Sequence, residues 1–238
     1  MPHALLHPGS DLAFLTGAQR PKHAKAPCSD SADGRTNNFF SFAPPNNYCI
    51  GPQPTFSLRV VVLDPYDIGM IGKDESDANF QLAVKLLKQH NPNDIFDKTG
   101  KVNWAAGLTG LERRWLPYNG AVGKQQLKWL RGVIIDAWRD HERVVVLSHV
   151  GLSPGCCDDS TLLWNYGEVL ECLHSVPKGV VVACFSGHDH KGGYAVDAHG
   201  IHHVTLQSPL EDPSNQTAYA TAHCFSSRIE LEGCNFLF

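Results

Sequence analysis

Three apolar runs punctuate the chain: LRVVVLD (58–64), RVVVLSHV (143–150) and VVVACFSG (180–187). None has the polar alternation of a strand with one face in water, so each reads as a strand covered on both faces. Between the first two runs the period becomes helical. From about Ser76 to His90, with Ser76 as cap, Phe80, Ala83 and Leu87 join Leu82 and Leu86 on one face. From 123 to 140, Leu127, Leu130, Ile134 and Trp138 do the same, and STLLWNYGEVLECLHSV (160–176) predicts a third helix. Beyond the third run, GYAVDAHGIHHVTLQ predicts a hairpin turning at Asp197 to Gly200, and AYATAHCFSS and RIELEG predict two more strands. Strands alternating with helices predict a parallel-rich sheet, and the terminal hairpins predict antiparallel strands beside it. The class is mixed α/β with α+β character.

Residues 1–38 carry Pro, Gly, Ser and Lys without a sustained period and are expected to be an irregular, disordered tail. FFSFAPPNNYCIGPQPTF (39–56) predicts a short strand followed by a loop, and residues 91–122 a long connection of the kind that is usually functional or mobile. With 42% hydrophobic and 18% charged residues the composition is that of a globular protein, and a net charge of −4 gives nucleic acid or an anionic membrane no electrostatic hold. Eight cysteines without CxxC spacing read as buried free thiols in a reducing compartment, not as a disulfide framework. The first residues lack a basic start and a continuous apolar stretch, and no run approaches a membrane span, so the expected location is cytoplasmic.

Two of the apolar runs end alike, VVVLSH at His149 and VVACFSGHDH at His188 and His190. If the two strands lie parallel in one sheet, both ends open on the edge where such sheets bind ligands. In an extended segment residues two apart share a side, so His188 and His190 can reach one site together. Three neutral imidazoles there make a candidate metal site. Asp189, between the two histidines, should point away from them and serve a turn or support a ligand. His202 and His203 read as ordinary hairpin residues, and Cys156 and Cys157 lack a basic neighbour to activate a thiolate. Asp64 ends the first strand at what can be the same edge and is a candidate for holding substrate, with turn capping the commoner role. In PYNGAVGK (117–124), Asn119, Gly120 and Gly123 run into a helix start whose backbone N–H groups suit a phosphate.

RVVVLDPYDIGMIG (59–72), HNPN (90–93), YNGAVGKQQLKWL (118–130), LSHVGLSPG (147–155), LLWNYGEVL (162–170) and SGHDHKGGY (186–194) occur in order over about residues 39–238. In these stretches the chain resembles the calcineurin-like metallophosphoesterases, and more closely the plant manganese-dependent ADP-ribose/CDP-alcohol diphosphatases. The resemblance implies an αββα arrangement, a β-sandwich flanked by helices. It implies two divalent ions, Mn²⁺ by expectation, with His149 and His188 on one and His190 on the other. The implied reaction is hydrolysis of the phosphoanhydride in ADP-ribose, CDP-alcohols or related nucleotide diphosphates, releasing a nucleoside monophosphate. The family's early D-x-H, bridging aspartate and catalytic Asn-His pair have no counterpart ahead of Leu58; Asp11, Asp30 and Asp33 lack the context. Residues 39–238 are thus expected to be the C-terminal part of the domain, holding at most one ion and hydrolysing little. An uncovered sheet edge open to self-association is also expected. The alternative is a catalytically inactive remnant acting as a nucleotide- or protein-binding module.

Overall fold

The three apolar runs lie at the centre of one sheet. A computed structural model describes residues 4–6, 12–14, 38–41, 57–97, 99–210 and 220–233. In chain order the strands are β1 (Ala4–Leu6), β2 (Leu12–Phe14), β3 (Asn38–Ser41), β4 (Leu58–Val62), β5 (Ile68–Gly69), β6 (Gly120–Ala121) and β7 (Arg143–Leu147). They continue with β8 (Val181–Ser186), β9 (Gly193–Val196), β10 (His202–Thr205), β11 (Ala220–Cys224) and β12 (Arg228–Gly233). The helices are α1 (Ala78–His90), α2 (Lys124–Arg139) and α3 (Tyr166–Leu173), with 3-10 turns at Gly110–Arg114 and Asp159–Thr161. The main sheet has the order β1-β4-β7-β8-β10-β9, and β4, β7, β8 and β10 run parallel. A second, antiparallel sheet has the order β2-β11-β12-β3.

Residues of the apolar runs divide between two cores, alternating except that Val180 and Val181 share one and Val182 and Ala183 the other. Val61, Val144, Val146 and Cys184 pack with Leu130, Val133, Ile134 and Ala137 of α2 and with Val169 and Leu173 of α3. Leu58, Val145, Val182 and Phe185 pack instead on Ala222, Ile229 and Leu231 of the second sheet. A strand buried on both sides has no polar face to show, which is why these runs do not alternate. Helices, sheet and sheet therefore stack in three layers among the described residues. The fourth, helical layer of the expected αββα arrangement is not seen there, since the cores that hold residues of α1, α2 and α3 include none from the second sheet.

Several expectations need correction. The cap of α1 is Asp77, whose carboxylate accepts from the N–H groups of Asn79 and Phe80, rather than Ser76. Trp138 is 46% exposed, because the face that α2 buries runs through Leu130, Val133, Ile134 and Ala137. The third helix is shorter than 160–176: Leu162, Leu163 and Trp164 are buried in non-helical chain, where Trp164 N–H donates to Gly120 O. The bare edge expected beside β4 is covered, because Ala4–Leu6 pairs antiparallel with Leu58–Val60 and satisfies its backbone groups. β1 and β2 lie in the segment read as an irregular tail, the remainder of which is outside the described residues, as is the loop read at 42–56.

The connection at 91–122 has a core of its own. Phe80, Ala83 and Leu87 of α1 pack with Ile95, Trp115, Ala121 and Trp164. The side-chain amide of Asn91 donates to Trp104 O and Trp115 O, and that of Asn93 to Trp104 O and Ala106 O. Cys156, Cys157, Cys172, Cys184 and Cys224 are free thiols. Among the described residues no helix is long and apolar enough to cross a membrane.

Candidate functional site

β7 and β8 are parallel neighbours, with Val145 opposite Ala183 and Leu147 opposite Phe185, so their C-terminal ends open together. His149 follows β7 and His188 follows β8. Beyond the ladder the segments stay joined, as Gly187 N–H donates to His149 O at 3.0 Å. The two imidazoles meet nearly edge to face, 5.1 Å between centroids. Tyr66 lies 6.1 Å from the His149 ring and Tyr118 5.7 Å from the His188 ring.

The strand alternation invoked for His188 and His190 does not apply, because β8 stops at Ser186 and the chain turns. His188 has φ +67°, a left-handed conformation in which a side chain with a Cβ is strained. The turn is held through Asp189. Its carboxylate accepts from Asp158 N–H at 2.6 Å and Lys191 N–H at 3.0 Å, and its carbonyl from Gly192 N–H at 3.1 Å. Asp189 thus acts as the turn residue anticipated for it.

His188 is oriented by a residue assigned above to substrate. Asn119 is completely buried; its amide nitrogen donates to Arg114 O at 2.8 Å and Ser160 O at 2.7 Å. Its Oδ1 must then be the atom facing His188 Nε2 at 2.8 Å, and an amide oxygen only accepts. His188 therefore carries its proton on Nε2 and keeps the Nδ1 lone pair, the arrangement that support of a metal-facing histidine requires. Burial lowers the pKa of His188 to about 4, with His149 and His190 adding to the effect and Asp189 opposing it. Burial, and then His190, lowers that of His149. Burial thus favours the neutral form of both rings.

Gly120, Gly123 and Asp64 are also committed to the fold. A Cβ on Gly120 would meet Pro65 O at 2.4 Å, so this glycine allows close packing of β6 on the chain after β4. Of the N–H groups at the start of α2, that of Gly123 already donates to Asp67 Oδ2 at 2.9 Å, and the Gln126 side-chain amide donates to the same oxygen at 3.2 Å. The helix end prefers an anion, and the chain supplies its own. Asp64 Oδ1 accepts from Tyr66 N–H at 2.9 Å, the turn role, while its backbone pairs with the Gln126 amide. Asp67→Ala is expected to cost about 1 kcal/mol by taking a carboxylate from the N-terminal end of α2; urea unfolding with an unchanged midpoint would remove that role.

The donor set does not fit a pair of manganese ions. Among the described residues no three His, Cys, Asp or Glu side chains gather as an ion requires. The carboxylate nearest the imidazoles in sequence, Asp189, is spent on the turn. Mn²⁺ favours oxygen donors, and two adjacent cations need a shared anion between them.

No family model matches the chain. It is 43% identical over 180 residues to a manganese-dependent ADP-ribose/CDP-alcohol diphosphatase of Arabidopsis thaliana, covering 76% of this chain and 55% of that protein. Its identity to the protein of that name from Oryza sativa is 39% over 186 residues, covering 78% of this chain and 55% of the relative. To the one from Xenopus tropicalis it is 31% over 221 residues, covering 92% and 61%. The crystal structure of a dimetal phosphatase from Danio rerio superposes with a TM-score of 0.67 at 32% identity, over 84% of this chain and 58% of that one. The chain spans about half the length of the curated relatives it matches.

Proposed function

With the chain a homologue of the manganese-dependent ADP-ribose/CDP-alcohol diphosphatases over about half their length, we propose that it carries the imidazole portion of a nucleotide diphosphatase centre. The reaction of the whole centre is hydrolysis of the phosphoanhydride in ADP-ribose, CDP-alcohols or similar compounds, with release of a nucleoside monophosphate. The observation that carries this reading is the pair of neutral rings, His149 and His188, 5.1 Å apart at the ends of adjacent parallel strands. His149 and His188 are the residues whose rings meet, with Asn119 holding His188 in its tautomer, and His190 is the third that the resemblance assigns to an ion. A divalent ion, were one held there, would supply neutralisation of phosphoryl charge. This chain's residues hold the imidazoles neutral and fixed.

A second reading, an inactive nucleotide- or protein-binding module, is favoured by the absence of three converging ligands among the described residues. AMP release from ADP-ribose with Mn²⁺, together with calorimetric Mn²⁺ titration of the 238-residue protein, separates the two. One ion at most and slow release, falling to background in His188→Ala, is the expected result. Two tight sites would overturn the single-ion reading. ADP-ribose binding without turnover would replace hydrolysis by the binding module.

A further inference from the structure

Beyond His149 the chain turns through Ser153-Pro154-Gly155-Cys156, with Cys156 N–H donating to Ser153 O at 3.2 Å and Gly155 at φ +86°. Proline second and glycine third are what such a turn requires. Cys157 follows directly, and the sulfurs of both cysteines lie over Gly151, where an added Cβ would meet Cys157 Sγ at 2.5 Å and Cys156 Sγ at 3.4 Å. We propose that Cys156 and Cys157 are a peroxide-sensitive dithiol, in which closure of a disulfide bends the chain and loosens the hold on His188. The proposal concerns the thiols and the histidine turn and does not rest on the hydrolytic reading.

In an extended chain neighbouring side chains point to opposite sides, so two adjacent thiols facing one glycine are a product of the turn. The thiols are hydrogen bonded to each other, and Cys157 Sγ also donates to Thr161 O at 3.8 Å. The bond between them lowers the Cys156 pKa to about 6 against the effect of burial, with Ser153 N–H and His203 adding to it, and it raises that of Cys157. No basic residue lies beside the pair in sequence, but the fold brings His203 within electrostatic reach. The thiolate is the form that peroxide attacks. Cys156 is buried, while Cys157 is partly exposed and open to a small oxidant.

Hydrogen peroxide turns one sulfur into a sulfenic acid with loss of water; the other thiol then displaces the hydroxyl, which leaves with the thiol proton as a second water. Two thiol hydrogens are lost and the peroxide is reduced. Disulfides usually span roughly 4.4–6.8 Å between Cα atoms, whereas neighbouring residues are held about 3.8 Å apart. The ring therefore closes only by twisting the 156–157 peptide, and a bond strained in this way is readily reduced again.

That peptide cannot twist alone. On one side Cys156 O packs so closely on β9 that a Cβ on Gly193 would collide with it. On the other, Asp158 serves His188 twice. Its N–H donates to Asp189 Oδ2 at 2.6 Å, a bond that shapes the histidine turn. Its Oδ1 accepts from Ser160 N–H at 2.9 Å, and Ser160 O in turn accepts from the Asn119 amide that faces His188.

Mass spectrometry of the 238-residue protein after mild hydrogen peroxide, denaturation and alkylation with N-ethylmaleimide tests the first half of this. The tryptic peptide 144–178 holds Cys156, Cys157 and Cys172. It is expected to lose two hydrogens and to carry maleimide on Cys172 alone, and after dithiothreitol all three cysteines should be labelled. For the second half, the Lys191 backbone amide and the Asn119 side-chain amide are followed in ¹H–¹⁵N spectra. Both peaks should shift on oxidation, return on reduction and stay in place in peroxide-treated Cys157→Ser. Full labelling after peroxide, a bridge from either cysteine to Cys172 or Cys184, or a sulfinic acid without a bridge overturns the dithiol. A closed disulfide with both peaks unmoved overturns the link to His188. The wild-type measurements decide even where Cys157→Ser does not fold, and neither uses metal or substrate.

Discussion

Asp197→Ala is expected to destabilise the protein by about 3 kcal/mol or more, read as a lowered urea midpoint. The carboxylate sits in the β9–β10 turn with its side chain 6% exposed. Oδ2 meets His174 Nε2 at 2.8 Å and His203 Nε2 at 3.1 Å, and Oδ1 accepts from the N–H groups of His199 and Ile201 at 2.9 Å. Removing it strands the His203 ring, which is 1% exposed, and undoes the turn together. Burial raises the Asp197 pKa, but hydrogen bonds from His203, His174 and Ile201 N–H outweigh it and hold the carboxyl well below the usual range. For His203, burial opposes the charge, yet Cys184 and the Asp197 carboxylate lift its pKa to about 10. The depressed Asp197 contributes stability present above its unfolded pKa of about 4 and lost as pH falls through the folded value. The raised His203 contributes stability fully present below its unfolded pKa of about 6.5 and lost as pH rises through the folded value. The difference between wild type and Asp197→Ala should be largest between about pH 4 and 6.5 and shrink toward pH 10. A difference independent of pH would mean that the turn alone, not the ion pair, is being lost.

Asn119→Ala should act on both the fold and the site. The buried amide satisfies Arg114 O and Ser160 O, and leaving two carbonyls without partners costs about 2–4 kcal/mol. It also frees His188 to change tautomer or rotate, since its Nε2–H loses its acceptor. If His188 faces the ion, affinity for Zn²⁺, which imidazole suits, should drop roughly 10- to 100-fold. Calorimetric titration checks the affinity, and ¹⁵N shifts of the imidazole check the tautomer. Retained Zn²⁺ affinity in a folded variant would show that the ring is placed by its backbone alone.

The parallel sheet was legible because its strands are covered twice: uninterrupted valine runs leave no other reading at that length. The position of His149 and His188 was legible for the same reason, since each lies just past such a run and the runs are neighbours. The geometry of His190 was not. Alternation was carried one turn too far, past the point where Asp189 bends the chain through bonds to residues distant in sequence. In YNGAVGK the Gly123 N–H is taken up by a long-range contact as well. Glycines before a helix show that backbone donors are exposed locally, but Asp67, which occupies them, belongs to the segment after β4. Asn119 carried a signal in its place beside Gly120, but a buried amide and an exposed one are spelled alike. Asp77 beats Ser76 as cap by one position, a matter that local propensity leaves undecided.

The four parallel strands occur in the sheet in the same order as in the sequence, β4-β7-β8-β10, yet the excursions joining them differ greatly. From Val62 to Arg143 the chain makes α1, the connection at 91–122 and α2 before returning, whereas β8 and β10 are separated only by the short β9 hairpin. Bringing chain ends together costs more entropy over the longer detour, so pairing β4 with β7 carries the larger closure cost and joining β8, β9 and β10 the smaller. The excursion between Val62 and Arg143 is thus joined to the histidine-bearing strand ends by the costlier of the two closures.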